Sequence, residues 1–346
     1  MHRACGRSAA LMLALLAMLV PTRPSLAQST WKEIEAAARK EGAVVLYHNF
    51  QPASAERIVA AFNADYPEIS VGEARLPSGA FYPRFATEYA GGKSEADACS
   101  ASWDERLHAW AKQGWMAEWQ PPEAAGLPED SRLGNQMWGI QAVREMIIYN
   151  TSKVSAGDAP KDWPDLLDAK WKGRVGMNPP WRSTGPQTAL AFLESKFGIK
   201  DAAERMKALD VRFFNGSAGV IQAVVRGDVS VALLTDLPLN AALADGVPLK
   251  AVYPPSGVPF LPIVTFVPAK TAHPNAGRVI VNWLMSEKGQ TAIQELSGAP
   301  GTRRGLKAPA YVPSNGQISA VAGASLLDGA TQKRIVDHWR SVFQVQ

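Results

Sequence analysis

Apolar positions along the chain recur with two periods that take turns. "WKEIEAAARKEG" has the 3.6-residue spacing of an amphipathic helix closed by Gly42, and "AVVLYH" (43–48) reads as a buried strand. "SAERIVAAFNADYP" predicts a helix with Ile58, Val59, Phe62 and Tyr66 inward. "ISVGEARL" predicts a strand, "GAFYPRFATEYAGG" a helix, "ADACSAS" a short strand and "DERLHAWAKQG" a helix. "QPPEAAGLPEDSRLG" is loop-like, and "MWGIQAVREMIIYN" predicts one or two strands. A second series follows. "GRVGMN" is a strand, "VRFFNGSAGVIQAVVRGDVSVALLTD" gives strand, loop, helix and strand, "LPLNAALADG" a helix and "VPLKAVYP" a strand. "FLPIVTFVPA" is a further strand, "PNAGRVIVNWLMSEKGQTAIQELSG" one or two helices, and "GATQKRIVDHWRSVFQ" a last helix.

This alternation predicts an α/β protein of two lobes. The boundary falls near Trp138 to Asn150, and the chain returns near Phe260 to Pro268, because the strand there has no obvious partner of its own. In open α/β sheets ligands bind beyond the carboxyl ends of the strands. Six such ends carry small or polar residues before a helix. They hold Tyr47, His48 and Asn49; Ser78 and Gly79; Ser100, Ala101, Ser102 and Trp103; Trp181 to Gly185; Asn215, Gly216 and Ser217; and Thr235 and Asp236. Three precede the boundary and three follow it, so a cleft between lobes would be lined from both sides.

One end has a stronger motive. In "NPPWRSTGPQTALAFLESKFG" (178–198), Ala189, Leu190, Phe192, Leu193 and Phe197 form one helical stripe, with Pro186 in the first turn and Gly198 at the C-cap. Ser183 and Thr184 suffice as caps, but a cap has no use for Arg182. A guanidinium beside free helix N–H groups suits an acidic ligand. Arg182, Ser183 and Thr184 are therefore expected to hold the acidic group of a solute.

Charge and composition narrow the class. Arg3 and Arg7 precede the apolar run Ala9–Val20, and Ser25-Leu26-Ala27 is a small-x-small cleavage signal before Gln28. The run is too short to span a membrane, so residues 1–27 read as a signal peptide. Its removal lowers the net charge from +4 to +1, which leaves no basic patch for nucleic acid. Cys99 alone remains, so no intramolecular disulfide forms. His48, His108, His273 and His338 are scattered and show no metal-ligand spacing. No G-x-S-x-G, P-loop or H-E-x-x-H is present. Cys99 with a remote His48 is a weak case for a nucleophile, since a lone strand cysteine is usually a small buried apolar residue. No metal, cofactor or catalytic residue is expected.

"EIEAAARKEGAVVLY", "YNTSKV…PKDWPDLLDAKWKGRVGM", "GVIQAVVRGDVSVALLTD" and "NWLMSEKGQTAI" follow one another in an order that resembles the extracellular solute-binding proteins of ABC importers. The branch resembled is the one that includes ferric-ion-binding proteins. The resemblance implies a two-lobed type II periplasmic-binding fold with a two-strand hinge. The expected organisation is 1–27 signal, 28–138 lobe 1, 139–257 lobe 2, 258–300 return to lobe 1, and 301–346 a C-terminal helical segment packing on the lobes. Together with the strand-end residues it gives the expected function: a periplasmic monomer that captures a small anionic or zwitterionic solute of carboxylate or phosphonate type, with Asp104 and Asp236 leaving room for an amine, and that docks on a membrane permease without inserting in the membrane. Iron binders of this branch carry paired tyrosines where this chain has Leu237 and Pro238, which offer Fe³⁺ no ligand. The alternatives are a ferric ion held with an anion by His48 and carboxylates, and a secreted enzyme with His48 as base.

Overall fold

A computed structural model describes residues 30–50, 52–237, 239–244, 246–297, 300–307, 320–322 and 327–345. The expected signal segment with its cleavage point, and Pro238, lie outside the described residues.

The first helix, α1 (Trp31–Glu41), shows why the local reading works. Thr30 caps it through a reciprocal capping box with Glu33, and Gly42 ends it at φ 67°, in the left-handed region that glycine occupies without strain. Strand β1 (Ala43–His48) follows, then α2 (Pro52–Asp65), β2 (Ser70–Arg75), α3 (Ser78–Ala90), β3 (Ala98–Ser102), α4 (Glu105–Lys112) and the two-residue β4 (Arg132–Leu133). The segment expected as one or two strands is a single 14-residue strand, β5 (Met137–Asn150). Beyond it lie β6 (Val175–Met177), α5 (Thr184–Phe197), α6 (Ala202–Ala208), β7 (Arg212–Phe213), α7 (Gly216–Arg226) and β8 (Val231–Thr235). The chain continues through α8 (Leu239–Ala244), β9 (Leu249–Val252), β10 (Val258–Phe266), α9 (Pro274–Met285), α10 (Glu287–Ser297), β11 (Ala320–Ala322) and α11 (Gly329–Phe343).

The strands run in the order β2-β1-β3-β10-β5-β8-β6-β7. Strand β5 joins two halves. Its Trp138–Arg144 stretch pairs antiparallel with β10, whereas Glu145–Tyr149 pairs antiparallel with β8. The parallel neighbours β1, β2 and β3 belong to the first half, and β6, β7 and β8 to the second. The chain thus leaves the first half along β5 and comes back between β9, which pairs with the end of β5, and β10.

Each half has helices on both faces of its sheet, as parallel strands require. In the first, Val44 and Leu46 of β1 face a core shared with α1, α2 and α9, while Tyr47 faces the one under α3 and α4. In the second, Val231 and Leu233 of β8 face α5 and α6, and Ala232 and Leu234 face α7. Helix α11 packs on α5 and α6 through Ile335 and Trp339.

Candidate functional site

The alternation of side chains along β5 decides what lies at the junction of the halves. Ile147 and Tyr149 face the core under α5, whereas Ile148 faces the one under α7. By the same period of two, Glu145 points to the α5 side and Arg144 to the other. Its cross-strand partner on β8 is Thr235, which shares that face. Arg144 and Asp236 meet behind them. The Arg144 Nε donates to Asp236 Oδ2 at 3.0 Å, and the Arg144 backbone N–H donates to Oδ1 at 3.1 Å. Both side chains are almost fully buried. Burial still raises the Asp236 carboxyl to about 6, against the pull of the guanidinium and backbone donors.

In front of Glu145 is a cavity of about 130 Å³. It is lined by Ser102 at the end of β3, Leu261 of β10, Val143 and Glu145 of β5, Ser183 to Gly185 and Thr188 at the start of α5, and Thr235 and Leu237 at the end of β8. Both halves therefore contribute. This volume is well below the roughly 300–1,000 Å³ of drug-sized sites, so it suits a small solute. Ser183 is the N-cap residue of α5, yet its hydroxyl makes no capping bond. The first N–H groups of a helix have no intrahelical acceptor, so this end stays available to an anion. Gly185 lets the helix approach β5, because a Cβ there would sit 1.9 Å from Glu145 Oε1.

Glu145 is the anomaly of this cavity. It is 2% exposed, and neither carboxylate oxygen has a hydrogen-bond partner. Burial, followed by the negative charge of Asp236, pushes its carboxyl well above the usual carboxylate range. A buried polar group without a partner is costly, and at Glu145 both oxygens of one side chain are left so beside the cavity.

Of the residues expected at a site, Ser102, Ser183 and Thr184 line this cavity. Asn49 stands behind Ser102 and donates to its Oγ at 3.0 Å. Ser217 stands behind Thr235, with their hydroxyls 3.2 Å apart. Asp236 faces away from the cavity into its ion pair with Arg144. Trp103 is buried, and its backbone N–H donates to Pro262 at 2.8 Å. Tyr47 is buried in the first-half core, where its hydroxyl donates to Glu88 at 2.8 Å. His48 Nε2 lies 2.7 Å from Glu73, and its ring stacks on Phe50. Burial holds the His48 pKa below the usual value, although Glu73 opposes that. Gly79 is exposed on α3, and the Ser78 side chain is outside the described residues. Asp104 caps α4 and pairs with Arg106. Cys99 is fully buried, which raises its thiol.

Arg182 and Trp181 part company with Ser183. They line a wider, shallow groove of about 510 Å³ together with Pro179, Phe213, Phe214, Asn215 and Val345. Trp181 packs edge-on against Phe213 at 4.8 Å, and Arg182 is exposed. Sequence reasoning missed Glu145, whereas Thr235 and Gly185 are among the strand-end residues it named. A signal for Glu145 exists: Arg144 and Glu145 are adjacent charges inside an otherwise apolar run. Among the described residues, no group of three His, Cys, Asp or Glu side chains could hold a metal ion, and no helix is long and apolar enough to cross a membrane.

Comparison with known proteins places this architecture. Over 200 residues the chain is 25% identical to a Salmonella typhi protein provisionally named as 2-aminoethylphosphonate-binding and periplasmic. The match covers 54% of this chain and 57% of that protein, so it spans little more than half the relative's length. Over 120 residues the chain is 29% identical to the Fe(3+)-binding periplasmic protein of Serratia marcescens, covering 33% and 35% of the two chains. The structure superposes on iron-bound HitA from Pseudomonas aeruginosa with a TM-score of 0.75 at 22% identity, covering 86% of this chain and 99% of HitA. That likeness establishes the fold, the two-lobed type II periplasmic-binding-protein architecture that the resemblance implied. Residues 108–315 match the family model described as bacterial extracellular solute-binding protein, which is more than half of the chain, and the protein belongs to that family.

Proposed function

We propose that the protein captures a small anionic or zwitterionic solute in the 130 Å³ cavity and delivers it to the permease of an ABC importer. The observation that carries this reading is the lining itself: Ser102 and Leu261 from one half, and Ser183, Thr184 and Thr235 from the other, meet at the uncapped start of α5. An acidic group placed there takes the free helix N–H groups and the hydroxyls of Ser183 and Thr184. Closure of the halves about β5 and the β9–β10 passage would then clamp it. Residues 1–27 direct export to the periplasm and are removed before Gln28, and the mature chain works as a monomer without chemistry of its own. The lobes divide at 28–138, 139–257 and 258–300, with 301–346 packed on them.

An organic solute is favoured over ferric ion. Leu237, where the resemblance places a tyrosine ligand, presents an apolar side chain to the cavity. Native mass spectrometry of protein purified from its own host should reveal a co-purified compound. Calorimetric titration with that compound should saturate at one site, with a smaller radius of gyration in scattering. An intense visible band on adding ferric citrate, removed by a chelator, would overturn the organic reading. Catalysed change of the bound compound would overturn the receptor.

A further inference from the structure

Glu145 is left over from the reading above. A helix N-terminus recognises an anion, and a buried acid set beside it adds nothing to that purpose unless it has a separate task. The charge balance around it makes this concrete. Arg144 and Asp236 neutralise one another on the far face of β5. Thr235 and Gly185, its neighbours on the near face, carry no charge. Among the described residues no cation meets either Glu145 oxygen. The group therefore brings two unpartnered oxygens into the cavity and keeps its proton until a cation beside it favours the ionised form.

We propose that Glu145 receives a cationic amine of the solute, so that the site selects short zwitterions, with the acidic group on the α5 N-terminus and the ammonium on Glu145. This deepens, and rests on, the reading of the cavity as the solute site. The chemistry is complementary. An ammonium carries three donors, and an ionised carboxylate accepts through two oxygens. Pairing them compensates the group that folding leaves bare. The geometry sets the length. Glu145 Oε1 lies against Gly185, in the first turn of α5, so both poles of the solute must fit within a few bonds of one another. Long diamines and simple bulky anions do not satisfy that arrangement. The alternative use of Glu145 is as a resident anion that occupies the helix end and must be displaced. It predicts the reverse response to charge removal.

The test uses the mature chain, wild type and Glu145→Gln, titrated calorimetrically with two pairs of probes: 2-aminoethylphosphonate against ethylphosphonate, and β-alanine against propionate. Wild type should bind the amine-bearing member of at least one pair and prefer it over its amine-free analogue by roughly 30-fold or more. Truncating a buried charged pairing costs enough that Glu145→Gln should weaken the amine-bearing probe by roughly 30- to 1,000-fold. Its affinity for the amine-free analogue should hold within about threefold, the response expected of a group that reads only the amine. Melting curves of both proteins show that the variant is folded, and Glu145→Asp should recover part of the preference. If wild type binds the amine-free acids equally well, or if Glu145→Gln binds them more tightly, the inference falls while the solute site stands. If none of the four probes binds, the inference falls. Whether the solute site falls with it is decided by the separate search for a co-purified compound. If the preference for the amine survives in Glu145→Gln, another group reads it and the inference also falls.

Discussion

Two concavities in this protein teach opposite lessons about what marks a binding site. The groove of Trp181, Arg182, Phe213 and Phe214 is the larger, at about 510 Å³, and it displays the aromatic and cationic side chains that attract attention in a sequence. The cavity at the start of α5 is about a quarter of that size and shows mostly hydroxyls, small residues and one acid. In the groove the aromatic faces are already used: Trp181 packs against Phe213 and Phe343, and Phe213 against Trp339. Arg182 there is solvated, which costs nothing. In the cavity a carboxyl group is buried without a partner and a helix end goes uncapped. Size and aromatic content describe a surface. The unmet polar groups of the cavity are what the proposed solute site rests on.

The largest effect should come from breaking the wall behind the cavity. Asp236→Ala leaves the Arg144 guanidinium buried without its carboxylate, and removing one partner of such a pair costs about 3–5 kcal/mol. Urea unfolding should register that loss. A cost below about 1 kcal/mol would mean that the pair does not hold β5 to the end of β8.

A smaller effect concerns pH. The carboxyls of Glu145 and Asp236 are both raised in the folded protein, Asp236 to about 6. The folded state therefore holds these protons more tightly than the unfolded chain. Their stabilising contribution is complete below the ordinary carboxyl range and is lost as pH rises through the folded-state values. For Asp236 the loss falls between about 4 and 6. For Glu145 it continues upward from the ordinary value, at up to about 1.4 kcal/mol per pH unit. Glu145→Gln removes the second contribution. The ligand-free variant should melt higher than wild type at pH 8, and the difference should shrink toward pH 4. Parallel curves at all pH values would show that Glu145 finds a partner in solution.

The smallest effect should belong to the groove. Arg182→Ala should change solute affinity by no more than about threefold and leave the melting temperature in place, because the side chain is exposed and lines the other concavity. A loss of roughly 30-fold, the size expected for a buried charged partner, would instead bring Arg182 over the cavity on closure and erase the contrast between the two regions.

Local rules written into the sequence determined most of the elements. Capping chemistry at Thr30 and Gly42, the helical stripe of α5 and the apolar runs of β1, β8 and β10 each follow from interactions between near neighbours, and each is legible without the fold. The recurrence of strand ends with small polar residues also named Ser102, Ser183 and Thr184, which line the cavity. Which face a residue takes was a tertiary decision. Arg182 and Ser183 are adjacent, yet one lines the groove and the other the cavity. His48 and Tyr47 looked available and were instead taken up by Glu73 and Glu88, which stand 25 and 41 residues away in the chain. Glu145 looked like one charge in an apolar run. Its meaning came only from the pairing of β5 with β8, the approach of Gly185 and the diversion of Arg144 to Asp236. Periodicity is a property of neighbours along the chain, and burial without a partner is a property of neighbours in space, so the sequence fixes the first and leaves the second to packing.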